Sequence, residues 1–210
     1  MSDTLAAGPL LLGKRSAFDG LLKPVGHANG VTVQDRSDLE LIVLAARKGQ
    51  AGALAARMEA GYGLRLPSGP KRVVSGSLAA IGTGPGTWLL TRDSEASGAF
   101  ADELTQVLAG IAAVTDQSSG YAMLRIGGPR ARDTFAKGLD IDLHRRVFGP
   151  GDAAVTACSH IGVMLWQLDD APTYEIALFR SMAGSFWHWL SESAAEYGLA
   201  TGSNDILSAS

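Results

Sequence analysis

The side chains best suited to chemistry are scattered along this chain, and their spacing assembles few of them. Cys158 and His160 stand two apart. On a strand that spacing puts both on one face, so a thiolate–imidazole pair is geometrically open. Nothing nearby supplies an orienting third group, and a buried inert thiol beside an edge histidine is the simpler reading. Asp140, Asp142 and His144 alternate with Ile141 and Leu143. On an extended segment the three polar residues face one way, which suits a metal patch or, more simply, a solvated or partner-facing edge. The histidines, His27, His144, His160 and His188, form neither H-x-x-x-H nor H-E-x-x-H, so a zinc site would need distant ligands to converge.

The glycine-rich stretches carry equally little. GTGPG at Gly82–Gly86 has no G-x-G-x-x-G spacing and no following Lys–Ser/Thr pair, so it reads as a turn between strands. Gly127–Gly128–Pro129 lies between a strand and a helix, where helix N–H groups can meet an anion, although a structural turn suffices. Arg125, Arg130 and Arg132 surround it and could meet carboxylates of another chain, or a phosphate. No aromatic platform accompanies them, so a nucleic-acid groove is not expected. Glu175 and Arg180 flank a strand and could pair with each other or with a partner.

The elements that must position these residues follow from the apolar pattern. LELIVLAA (Leu39–Ala46) is a continuous apolar run, expected as a buried central strand. Ala51, Leu54, Ala55 and Met58 then fall at helical spacing, with Gly61 and Gly63 available to end the helix. Lys71–Ile81 and Thr87–Leu90 read as two strands. Phe100, Leu104, Val107, Leu108 and Ile111 form a buried helical stripe, with Asp93 or Ser94 as its cap. A strand follows over 111–116. That order is β-α-β-β-α-β, a ferredoxin-like split unit.

The pattern then partly repeats. Tyr121, Met123 and Arg125 share one strand face, with Leu124 and Ile126 toward the other. A helix is expected over 131–137, strands over 153–157, 161–168 and 173–179, and a last helix over 183–197. The expected organisation is an extended arm over 1–37, one α+β domain over 38–200 made of two pseudo-repeats (about 38–117 and 118–200), and a flexible tail over 201–210. Asp116, Gln117 and Ser118 are placed to fix the junction between the two units, since Asp and Ser readily bond nearby backbone.

Composition narrows the function classes. The chain has 210 residues and a formal charge of −3, so no global field gathers nucleic acid or anionic lipid. With one cysteine, Cys158, neither an intrachain disulfide nor a thiolate metal cluster can form. The start lacks a basic segment followed by an apolar core, and GPLLLG is too short to span a bilayer, so a cytoplasmic protein is expected. Against this plain background one feature stands out. YEIALFRSMAGSFWHWLSESAAEYG carries Phe179, Phe186, Trp187, Trp189 and Tyr197, with His188 among them. One helix face covers a sheet with Phe186, Trp189, Leu190, Ala194 and Tyr197, while Trp187 flanks it. Some of that ring surface is expected to remain for a partner.

Several of these stretches together resemble the gamma subunit of heterotetrameric sarcosine oxidase. The motifs are DQS, LRI-x-GP-x-AR, KG-x-DIDLH, LW and FRS-x-x-SFWHWL, with GPGTWLL at Gly84–Leu90. The likeness covers roughly 39–199. It implies a subunit with no assigned cofactor or catalytic residue, whose fold resembles the N-terminal part of the folate-binding aminomethyltransferase (T-protein). It also implies alpha, beta and delta partners and an assembly that oxidatively demethylates sarcosine to glycine. That assembly would hold FAD, FMN, NAD, tetrahydrofolate and zinc in other subunits. The contact candidates are then Arg125, Arg130, Asp142, His144, Trp166, Arg180, Trp187, His188 and Trp189. The alternative is a stand-alone folate-dependent aminomethyltransferase-like enzyme, for which Asp116 could be the acid.

Overall fold

A computed structural model describes residues 15–25, 30–93 and 99–202. The first half comprises β1 (Val31–Asp35), β2 (Leu39–Ala46), α1 (Ala51–Tyr62), β3 (Arg72–Ser75), β4 (Leu78–Gly84), β5 (Thr87–Asp93), α2 (Ala99–Val107) and β6 (Ala112–Asp116). The second comprises β7 (Tyr121–Gly127), α3 (Ala131–Phe135), β8 (Ala153–Cys158), β9 (Ile161–Gln167), β10 (Tyr174–Phe179), α4 (Ala183–Ala194) and β11 (Leu199–Gly202). They form a five-stranded sheet, β3-β4-β5-β2-β6, and a six-stranded sheet, β11-β1-β7-β10-β9-β8.

The expected α+β tandem of split βαβ units is present. With β3 set aside, the first sheet runs β4-β5-β2-β6, every pair antiparallel. With β1 and β8 set aside, the second runs β11-β7-β10-β9, the same order. Each unit therefore reads β-α-β-β-β-α-β, with one strand more than the simple motif. That strand arises in the first unit because Lys71–Ile81 is not one strand. Gly76, at φ 59, turns the chain between β3 and β4, a conformation open to glycine without a Cβ clash.

A second difference concerns the arm. Val31–Asp35 is a strand inserted between β7 and β11, antiparallel to the first and parallel to the second. Val31 and Val33 are buried there, and Gln34 lies on the opposite face. Before it, Phe18 is buried and Val25 exchanges two backbone hydrogen bonds with Leu199. At the far end, Thr201 and Gly202 belong to β11, whereas the rest of the tail, Leu10–Leu12, His27 and the proposed cap Ser94 lie outside the described residues.

Strand alternation sets the layers. On β7, Ala122, Leu124 and Ile126 join the core beneath α3 and α4, while Met123 faces the other way. On β2, Ile42 and Leu44 face α1 and α2, while Leu39 and Leu41 face inward. The inner faces meet through Leu39, Leu41, Ile81, Leu89, Met123, Trp166 and Ala177. The order of layers is helix, sheet, sheet, helix. Among the described residues, no helix is long and apolar enough to cross a membrane.

Candidate functional site

Three seams join the two sheets, and the most heavily charged is at the chain's own crossover. β1 belongs to one sheet and β2 to the other, and Arg36 stands between them. Its N–H donates to Met123 O, and its carbonyl accepts from Leu39 N. Its guanidinium reaches Glu175 Oε1 at 2.6 Å, Asp38 at 2.9 Å and Asp93 at 3.4 Å. Burial works against the Arg36 charge, but the Asp38 hydrogen bond and the fields of Glu175, Asp38 and Asp93 outweigh it. Its pKa therefore lies above the ordinary arginine value.

Glu175 is the buried centre, with a side chain 3% exposed. Sheet register explains its company. Arg125, Glu175 and Trp166 are directly opposed across β7, β10 and β9, so all three share the inner face. Arg125 donates to Glu175 Oε1 through Nη2 at 2.7 Å and Nε at 3.2 Å. The Trp166 indole N–H donates to Oε2 at 2.9 Å. Both carboxylate oxygens are therefore engaged, by two cations and one neutral donor. Arg72 of β3 feels the same group. Burial lowers its pKa; Glu175 raises it, while Arg125 and Arg36 lower it further. Its Nε is buried without a hydrogen-bond partner.

The other seams rest mainly on hydrogen bonds to the backbone, with one ion pair. Where β6 passes to β7, Gln117 N donates to Leu41 O, and Leu41 N donates to Ser118 Oγ at 3.0 Å. Ser118 N donates to Asp116 Oδ1 at 2.8 Å. The residues read as a junction thus sit at one, and a side-chain oxygen of Asp116 is occupied in the turn. Where β3 meets β8, Arg72 N donates to Gly151 O, Ala153 N donates to Pro70 O, and Lys71 pairs with Asp152.

Of the remaining sequence candidates, several lie inside the chain's own core. Trp166 is fully buried, which removes it from any partner's reach. Phe186 and Trp187 are buried under the six-stranded sheet, and Trp189 packs partly buried against Phe135 and Phe186. The expectation that one helix could not bury these rings overlooked α3 and the loop after it. A Cβ at Gly138 would come within 2.7–2.9 Å of the Trp189 ring. That glycine clears the space, and so two of the motif stretches, KG-x-DIDLH and SFWHWL, meet in space. Phe179, 57% exposed and stacked on Tyr121, is the ring that stays outward.

The polar candidates are on the surface. His188, Asp142 and His144 are exposed. Asp142 Oδ1 accepts from His144 N at 2.7 Å, and His144 Nδ1 accepts from Arg146 N, so Asp142 and His144 build a local turn, while Asp140 N donates to Ala157 O. Arg130 pairs with Asp133 and lies over the Tyr197 ring. Arg180 does not meet Glu175. It donates to Arg15 O, because Glu175 points inward between the sheets and Arg180 leaves the strand end. Cys158 and His160 do not pair either. Burial, with Asp140 nearby, pushes the Cys158 thiol up to about 12, and His160 is exposed in the β8–β9 turn. Among the described residues no cluster of metal-ligating side chains occurs. Sequence reasoning missed Arg36, Arg72 and the role of Glu175.

Comparison with known proteins fits this geometry. Residues 47–196 match the model of the sarcosine oxidase, gamma subunit family. A sarcosine oxidase subunit gamma from Corynebacterium sp. (strain P-1) is 32% identical over 156 residues, covering 70% of this chain and 71% of its own. That from Corynebacterium sp. (strain U-96) is 27% identical and covers 84% and 85%. The solved heterotetrameric sarcosine oxidase from Corynebacterium sp. U-96, in complex with pyrrole 2-carboxylate, superposes with a TM-score of 0.77 at 27% identity, over 87% of this chain and 95% of the matched one. Glycine cleavage system aminomethyltransferase T from Bartonella henselae shares the fold, with a TM-score of 0.61 at 14% identity, over 83% of this chain and 48% of its own. The chain belongs to the sarcosine oxidase gamma subunit family.

Proposed function

We propose that this chain is the non-catalytic gamma subunit of a heterotetrameric sarcosine oxidase and serves assembly with alpha, beta and delta subunits. In this reading the complex oxidatively demethylates sarcosine to glycine, producing H2O2 and either 5,10-methylenetetrahydrofolate or formaldehyde. FAD, FMN, NAD, tetrahydrofolate and zinc are then held by the other subunits, in the cytoplasm. The observation that carries the reading is the state of Glu175. It is the acid most enclosed between the sheets, and both its oxygens are taken by Arg36, Arg125 and Trp166. A carboxylate so enclosed and so engaged ties elements together.

Family membership favours a subunit over a stand-alone aminomethyltransferase, and the chain spans about half of the aminomethyltransferase it matches. Asp116, the acid that the alternative would use, is bound into the junction turn. Burial of the rings moves the proposed contacts elsewhere. The outward groups Phe179, Val155, Val147 and Val74, with Arg130, Asp142, His144, Arg180 and His188, are the surface left to partners. The half-buried Arg72 guanidinium, which has no acceptor among the described residues, suits a carboxylate from a neighbour. Co-expression of the other three subunits with and without this chain tests the reading. Omission is expected to abolish assembly while any residual complex keeps its flavin chemistry. Normal assembly with selective loss of folate coupling would overturn it.

A further inference from the structure

On the outer side of the six-stranded sheet, a cleft of about 390 Å³ opens between α3, the loop that follows it and the end of β9. Arg132, Arg145, Phe148, Gly149, Pro150, Gln167 and Asp170 line it. Its floor is polar in an unusual way. Gln167 is 1% exposed and donates from Nε2 to Asp169 O at 2.6 Å. That bond fixes the amide, so its free end is Oε1, which has no partner. Tyr174 lies directly across from Gln167 in the β9–β10 register; it is fully buried, and its hydroxyl is turned to the Arg132 guanidinium. Burial raises the Tyr174 pKa and the nearby Arg132 charge works in the other direction. Buried polar groups left unpaired are uncommon in folded proteins, and each costs roughly 1–3 kcal/mol.

The walls are cationic. Arg132 spends Nε on Leu143 O at 3.0 Å. Arg145 is exposed and makes no side-chain hydrogen bond or ion pair among the described residues. Two guanidiniums suit an oxyanion, which they can grip through paired N–H donors. Gln167 Oε1 is an acceptor and asks for a donor from the same ligand. Asp170, the one carboxylate on the wall, is exposed to solvent. Hydrogen phosphate meets both conditions, because it presents acceptor oxygens and an O–H together. We propose that this cleft binds a hydrogen phosphate group, with Arg132 and Arg145 on its oxygens and Gln167 Oε1 accepting its O–H.

Calorimetric titration of the full chain with inorganic phosphate at pH 7 tests this, with sulfate as a control of similar size that carries no proton. Saturable phosphate binding is expected, with sulfate and the Arg145→Gln variant each weaker by about tenfold, the factor that corresponds to 1.4 kcal/mol. Arg145 is exposed, so its variant should fold; a thermal melt checks this, and Gln167→Leu provides a second variant that removes the acceptor. Glycerol 1-phosphate separates two sources of the same chemistry. Because a phosphomonoester has mostly lost its proton at pH 7, it is expected to bind more weakly than phosphate, as sulfate does; tighter binding would overturn the role given to Gln167. Absence of saturable heat with phosphate, or equal binding in wild type and Arg145→Gln, overturns it. Equal affinity for sulfate and phosphate overturns the role given to Gln167.

Discussion

The two halves of this chain share a strand order but are closed in different ways. The first is self-contained: β2 to β6 form its sheet, and α1 and α2 cover it with Leu54, Met58, Phe100 and Leu104. The second is completed by chain from elsewhere, since β1 separates β7 from β11 and Phe18 packs into its core. The segment leaving β1 must cross between the sheets, and Arg36 sits at that crossing. A buried Glu175 follows from this arrangement: it neutralises Arg36 and Arg125 at the first of the two places where the chain passes between the sheets. Duplicated topology thus needs a specific join, and here one seam is a buried ionic cluster, one is hydrogen-bonded and one combines backbone hydrogen bonds with the Lys71–Asp152 pair.

The largest test of this contrast removes the centre of the join. Glu175→Leu takes the shared carboxylate from Arg36, Arg125 and Trp166, leaving Arg36 to Asp38 and Asp93, and breaking a buried pair costs roughly 3–5 kcal/mol. Urea unfolding of the full chain measures the loss; a cost under 1 kcal/mol would make the ionic join incidental. Next is the packing of the second half. Gly138→Ala pushes a methyl group into the Trp189 ring, an overpacking expected to cost about 1–3 kcal/mol. Tryptophan fluorescence should shift along with the melting midpoint.

A stabilising change is expected at the β8–β9 turn. Ser159 and His160 both hold positive φ, at 47° and 67°, a region that L side chains enter at a cost. Ser159→Asn with His160→Gly should raise stability by about 1 kcal/mol in the same unfolding assay. The smallest effect concerns the Lys71–Asp152 seam. The hydrogen bond from Lys71 holds the Asp152 carboxyl below its ordinary range. Its contribution is therefore present above the unfolded value and lost as pH falls through the folded one. The stability gap between wild type and Asp152→Asn should be flat near neutrality and close below about pH 4.

Much of this was legible in the residues. LELIVLAA announces β2 because a strand covered on both faces needs no polar alternation. The Leu54–Met58 spacing and Gly63 at φ 60 mark α1 and its end. The Asp116–Ser118 junction was also readable, because its bonds are local. VTVQD was not read as a strand, because five residues after a glycine-rich stretch acquire that identity only by pairing with β7 and β11. Arg36 and Glu175 are 139 residues apart, and no spacing rule connects them. The rings of α4 were seen but their fate was misjudged, since the room for Trp189 depends on the missing side chain of Gly138.

Glu175 also provides the most direct test of the account as a whole. Complex assembled with a Glu175→Gln gamma chain should be purified, and sarcosine turnover measured per bound flavin. The account predicts less complex, because the join is weakened, with turnover per flavin equal to that of the wild type. A normal yield of intact complex with turnover per flavin reduced tenfold or more would contradict it.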